Sequence, residues 1–174
     1  MVVFMITSLI IVVLLGFTSY YGFKSIISRI WEKLVILDKI FEERYNELSK
    51  TIFQFQKYMP EQKDLIFEIQ RSKADAAKVS KPKTAQELAQ KILNENALTI
   101  NLNYLIDKCD FQKIPLELKG CVTKQTELIS RIDVTAREYN VLIEKYKLIK
   151  NYFPFTFYSK LMGIDLDLEK IKTE

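Results

Sequence analysis

The stretch from Ile129 to Pro154 constrains the fold of this 174-residue chain more than any other. Apolar or aromatic residues return at Ile129, Ile132, Ala136, Tyr139, Ile143 and Tyr146, in steps of three and four that align them on one seam of a helix. A helix of this kind is only marginal alone in water, so the seam has to be covered by other helices. Four glycines and four prolines in the whole chain leave few points for turns, which suits long helices better than many short strands. The predicted class is all-α.

The N-terminus carries a second strong signal. Met1 to Phe23 contains no charged side chain, and Val2 to Leu15 is almost wholly apolar. At about 1.5 Å per residue such a run reaches across a hydrocarbon core of roughly 30 Å. The expectation is a transmembrane anchor over residues 1–23, in contact with the lipid bilayer. A cleavable signal peptide is the competing reading, but no basic residue precedes the apolar core and Gly16 to Gly22 offers no A-x-A-like cleavage site. Tyr20, Tyr21 and Phe23 sit where the helix would leave the membrane. Lys24, Arg29 and Lys33 follow the span and no basic side chain precedes it. By the positive-inside rule this predicts a single-pass protein of the cell membrane with its N-terminus outside and its domain in the cytoplasm. The opposite orientation is the alternative.

From Ile27 a seam continues through Ile30, Leu34, Leu37, Phe41, Arg44, Leu48, Ile52, Phe55 and Tyr58. With few breakers between Lys24 and Met59, the membrane helix is expected to run without interruption into the first helix of the domain. Pro60 disfavours helix at Met59 and is tolerated in a new first turn, which predicts a reversal there. A second helix is expected over Glu61 to Val79 with a weaker seam at Leu65, Ile69, Ser72, Ala76 and Val79, then a polar connection with Thr84 as N-cap. A third follows from Ala85 to Asp107 over Leu88, Ile92, Leu102 and Ile106, in which Asn94, Glu95 and Asn96 read as a solvated turn of helix. A fourth starts near Leu116. The first and fourth would each be about 50 Å long. The expected architecture is an antiparallel four-helix, coiled-coil-like bundle over 24–154, followed by a tail over 155–174.

Several function classes are disfavoured by composition. There is no histidine, which removes the commonest general base and the commonest metal ligand. A formal charge of +4 with acids and bases mixed along the chain gives no continuous basic stripe, so nucleic acid is not an expected partner. Cys109 and Cys121 are half of a Cys₄ zinc site at best. They are expected to be packing residues in a reducing compartment and could form a disulfide in an oxidising one. No metal, cofactor or catalytic residue is expected.

At the fourth helix, AREYNVLIEKYKLIKNYFP resembles the closing signature of the LemA family, in which an Ala-Arg pair precedes Tyr-Asn, a second Tyr-Asn, and Phe-Pro. The matching positions are Ala136, Arg137, Tyr139, Asn140, Ile143, Tyr146, Phe153 and Pro154, with Gly163 beyond. Upstream, ERYNEL with Arg44 and Tyr45 resembles the family's Arg-Tyr-Asp-Leu stretch, and Tyr58 matches the tyrosine of its Lys-Gly-Tyr segment. The chain departs from the pattern where Lys147 replaces the second asparagine, where Glu43 stands for a second arginine, and where Ser49 and Lys50 replace Pro-Asn. The resemblance implies an N-terminal membrane helix and an antiparallel helical bundle, and no enzyme activity.

Two groups of residues stand out as candidate contacts. Arg44 lies on a seam between Phe41 and Leu48, where an unpaired guanidinium is costly to bury. It must snorkel outward or meet a carboxylate or carbonyl of a neighbouring helix. The expected partners are Tyr139, Asn140 and Arg137, in a polar contact that fixes helix register. Phe155, Phe157, Tyr158, Leu161 and Met162 form an aromatic and apolar concentration beyond Pro154. They would either fold back to plug the open end of the bundle or form a patch facing the membrane or a partner. The function expected is a membrane-anchored helical scaffold that meets other proteins of the bacterial envelope. A membrane-coupled sensor is the alternative, and a carboxylate-based hydrolase stands last, because helix-surface acids are usually solvated.

Overall fold

A computed structural model of the chain describes residues 2–78, 85–110, 112–152 and 154–161. The molecule is all-helical, and the described residues include no strand. Helix α1 spans Val2–Tyr58, α2 Lys63–Lys78, α3 Ala85–Asp107, α4 Leu116–Lys150 and α5 Phe155–Leu161. The expected break at Met59 is present: its backbone leaves the helical region at φ −135°, ψ 57°, and Pro60 opens a single 3₁₀ turn through Gln62. Val79 and the capping residue Thr84 lie outside the described residues.

Helix α1 runs unbroken through 57 residues, with no interruption between the apolar run and the packed segment. Its first part is bare. Phe4, Met5, Leu9, Leu14, Leu15 and Phe17 all expose more than half of their surface. The hydroxyls here turn inward on the helix: Thr7 and Ser8 both donate to the Phe4 carbonyl, at 3.0 and 2.8 Å, and Thr18 donates to that of Leu14 at 3.1 Å. These three hydroxyls are satisfied without water, as a helix facing hydrocarbon requires. Among the described helices α1 is the one long and apolar enough to cross a membrane.

Beyond Gly22 one face of α1 is buried. Phe23, Ile27, Ile30, Leu37, Phe41, Leu48, Ile52 and Phe55 all lie in the core, in the three-and-four rhythm read from the sequence. Helix α4 covers much of this face. Phe23 stacks on Tyr146 with ring centroids 5.8 Å apart, Lys33 meets Glu138 at 2.6 Å, Glu43 meets Arg131 at 2.8 Å and Tyr58 donates to Glu117 at 3.1 Å. The numbers rise along α1 as they fall along α4, so the two helices run in opposite directions.

Helices α2 and α3 pair with each other. Asn94 Nδ2 donates to the Asp75 carbonyl at 3.0 Å, and Asn101 Nδ2 donates to Ser72 Oγ at 3.1 Å. These asparagines are seven residues apart and share one face of α3. In α2 the buried residues are Ile66, Ile69 and Ala76, with Leu65 and Ser72 half-buried, so Ile69 and Ala76 lie on the expected seam and only its first position moves, from Leu65 to Ile66. The Asn94–Asn96 run also differs from expectation. It is not a solvated turn, because Asn94 is bonded to α2 and Glu95 is buried.

The core divides into two clusters. One gathers Phe23, Ile27, Ile30, Phe41, Ala136, Tyr139, Ile143 and Tyr146 with Ile92 of α3. The other gathers Leu48, Phe55, Ile66, Ile69, Leu98, Leu102, Leu118 and Val122 from four helices. Tyr45 packs against both.

Candidate functional site

Between those clusters lies a set of buried charges. Arg44 is carried into the interior by its place on the α1 seam and has no exposed surface. Its Nη1 donates to Thr99 Oγ1 at 2.9 Å and to Glu95 Oε2 at 3.3 Å, and the Thr99 hydroxyl in turn donates to the Glu95 carbonyl at 2.8 Å. Nearly two turns back along α1 and one turn back along α3, buried Lys91 donates to Asp38 and lies over the Phe41 ring. Two cations and two acids thus meet where water is scarce, each pair joining α1 to α3.

The balance is tight. A buried ion pair regains the desolvation cost of its members only with good geometry and further hydrogen bonds. Arg44 Nε and Nη2, Glu95 Oε1 and Tyr45 Oη have no hydrogen-bond partner in the structure. Burial pushes the Glu95 carboxyl up to about 7, with Arg44 pulling it back down and Asp38 pushing it further up. Burial also pulls the Arg44 guanidinium down from its usual value, and Glu95 pulls it back up, so the two groups support each other's charge.

The expected partners of Arg44 are corrected here. Its two bonded partners both come from α3, whereas Tyr139, Asn140 and Arg137 are all on α4. Arg137 is exposed and pairs with Asp133 of its own helix at 2.6 Å. Tyr139, Ala136 and Tyr146 are fully buried against α1, and Asn140 is half-buried. Tyr58 holds Glu117, and Pro154 is half-buried in the turn after α4. Phe153 lies outside the described residues. The helix-four motif positions thus serve mainly as the apolar joint between α1 and α4.

Sequence reasoning read Glu95 as part of a solvated turn and placed Thr99, Lys91 and Asp38 in no buried contact. A signal for two of them existed: Ile92, Glu95, Thr99 and Leu102 follow steps of three, four and three, so Glu95 and Thr99 stand on an apolar seam as Arg44 does. A second buried polar contact was also passed over. Gln125 Nε2 of α4 donates to Thr51 Oγ1 of α1 at 3.3 Å.

The C-terminal aromatic group splits. Phe155 packs on Phe23 with centroids 5.7 Å apart, Tyr158 meets Tyr20 edge-on at 5.5 Å, and Tyr158 Oη donates to the Gly16 carbonyl at 2.8 Å. Phe157 points outward and is 58% exposed. Met162 and the side chain of Leu161 lie outside the described residues.

On the outer surface, Arg29, Glu32, Lys33, Glu138, Val141 and Leu142 line an open cleft of about 440 Å³ between α1 and α4. Cys109 is a buried free thiol, 3.6 Å from Met59 Sδ, and Cys121 is a half-buried one. Burial pushes both thiols up, which lowers their reactivity. Among the described residues no group of three or more cysteine or acidic side chains is placed to hold a metal ion.

No protein-family model matches the chain, and no curated protein matches it.

Proposed function

We propose that the chain is a membrane-anchored helical scaffold of the bacterial envelope, LemA-like, whose packed helices present their outer faces to other membrane or envelope proteins. The observation that carries this reading is the continuity of α1, whose exposed apolar part and buried part are one helix. An anchor joined in this way holds its domain at a set distance and orientation from the bilayer. Residues 1–23 enter the membrane, and 24–154 form an antiparallel four-helix bundle. The opposed pairings of α1 with α4 and α2 with α3 support that arrangement, as do the Asp38–Lys91 and Arg44–Glu95 pairs, which run in the same order along α1 and α3. The resemblance of AREYNVLIEKYKLIKNYFP to the LemA signature supports the family reading, and the basic flank at Lys24, Arg29 and Lys33 supports a cytoplasmic domain.

Exposed apolar residues on α1 and α4, among them Trp31, Val35, Val134 and Val141, are the surface offered to partners. A photo-crosslinking residue at Val141, beside the open cleft, tests this in cells. A discrete adduct with another envelope protein, lost when Val141 of a soluble chain lacking the anchor carries the probe, supports an anchored scaffold. Absence of any adduct from Val141, Val134 and Val35 alike contradicts it.

A sensor reading has one observation in its favour, the titratable Glu95 inside the contact between α1 and α3. It requires that α3 move relative to α1 when that charge changes, which spin-label distances between Glu42 and Asn103 across neutral pH would reveal.

A further inference from the structure

We infer that α5 is an interfacial foot: a short helix that lies in the headgroup layer beside α1, presents Phe157 to the lipid, and binds a bilayer bearing anionic headgroups. The inference rests on the reading that α1 crosses the membrane.

The argument is one of depth. Crossing a hydrocarbon core takes about 20 residues, and the charge-free run ends at Phe23. Helix α5 is held against the last third of that run, with Phe155 on Phe23 and Tyr158 on both Tyr20 and Gly16. Gly16 is about 10 Å further into the membrane than Phe23 along a helix axis, while the headgroup layer on each side is only about 5–7 Å thick. An α1 that spans the bilayer therefore takes α5 with it to the boundary between headgroups and hydrocarbon.

The chemistry of α5 suits that position. A tyrosine hydroxyl at the edge of the hydrocarbon is costly unless it is bonded, and Tyr158 donates to the Gly16 carbonyl. Its ring continues a run of aromatic contacts, from Phe17 to Tyr21, Tyr20, Tyr158 and Phe157. Phe17, Tyr21 and Phe157 face outward from that run, joined to the bare apolar surface of α1, and aromatic rings collect at this level of a bilayer. The charge is one-sided as well. Residues 145–161 contain Lys145, Lys147, Lys150 and Lys160 and no aspartate or glutamate, and Lys24 and Arg29 follow on α1. A basic collar around an aromatic foot fits anionic headgroups.

The test uses the full chain, with Trp31→Phe removing its single tryptophan and Phe157→Trp placing a new one on α5. Both native positions are substantially exposed, so neither change disturbs the core. A parallel variant carries Val134→Trp on α4 instead. The proteins are reconstituted in vesicles of phosphatidylcholine and phosphatidylglycerol brominated either just below the headgroup or near the bilayer centre, and retention after alkaline carbonate flotation is scored separately. The inference predicts retention, a blue-shifted Phe157→Trp emission that shallow bromines quench more than deep ones, and an unquenched Val134→Trp. With the bromines carried in turn by phosphatidylglycerol and by phosphatidylcholine at equal mole fraction, quenching no stronger from the anionic lipid would overturn the anionic assignment. Retention without quenching of Phe157→Trp would overturn the foot and leave the anchor intact. A protein that does not float with the vesicles would overturn the anchor, and the foot with it.

Discussion

Arg44 Nη1 lies 3.3 Å from Glu95 Oε2 with both side chains almost wholly withdrawn from water, so a first-helix cation and a third-helix acid depend on each other for charge balance. Burial pulls the Arg44 guanidinium down from its usual value while Glu95 holds it up, and burial pushes the Glu95 carboxyl up to about 7 because it outweighs the pull of Arg44.

This gives stability a pH dependence of defined sign. An acid whose folded value lies above its unfolded one binds more protons when folded, so its contribution falls as pH rises. For Glu95 the window runs from its ordinary value of 4.5 to about 7. Over that window the native state loses on the order of 3 kcal/mol from this group alone. Glu95→Gln should flatten the slope of unfolding free energy between pH 5 and 7, measured by urea denaturation in detergent. An unchanged slope would place the titrating group elsewhere.

Asp38 is one of the causes that raise Glu95. Asp38→Asn should therefore move the Glu95 titration to lower pH, while weakening the attachment of buried Lys91. Carbon-13 NMR of selectively labelled glutamate carboxyls would follow the shift directly, and a Glu95 resonance that titrates as in the native chain would contradict it.

Removing one member of the pair should cost more than removing both. Arg44→Met leaves Glu95 buried without its cation, a change expected to destabilise by about 3–5 kcal/mol at pH above 7 and by less at pH 5, where Glu95 is neutral. Arg44→Met with Glu95→Leu should recover most of that loss. Equal stability of Arg44→Met and the native chain would show that Arg44 does not fix the contact between α1 and α3.

The two cysteines should report separately. Cys109 is buried against Met59 and Leu105, and Cys121 is half-buried on α4. A membrane-impermeant maleimide should label Cys121 well before Cys109 in the folded protein. With a cytoplasmic domain, Cys121 should be labelled only after cell lysis, and labelling in intact cells would reverse the orientation.

Much of the helical framework was legible because it depends on local period and on few breakers. Ile27, Ile30, Leu37, Leu48, Ile52 and Phe55 are buried as their spacing requires, and Pro60 marks the first reversal. Arg44 was legible as a buried cation in need of a partner, but the choice of partner was not. Its acid lies 51 residues away on α3, and period alone gives each helix a buried face without saying which faces meet. Glu95 was obscured by its asparagine neighbours, Asn94 and Asn96, although its own place on the Ile92–Leu102 seam was readable. The tail was ambiguous for a different reason. Its aromatic rings alternate between packing and exposure, with Phe155 and Tyr158 on α1 and Phe157 outward, so composition alone could not assign the group to one role.

The central claim is that anchor and domain are one rigid helix, and a distance across the bilayer exit tests it most directly. Spin labels at Leu15→Cys and Glu42→Cys, in a chain with Cys109→Ala and Cys121→Ser, sit on exposed positions either side of that exit. Pulsed electron–electron double resonance in lipid nanodiscs should give one narrow distance near 40 Å, the rise of 27 helical residues. A broad distribution centred well below that length would mean that α1 bends between membrane and domain, and would contradict the account.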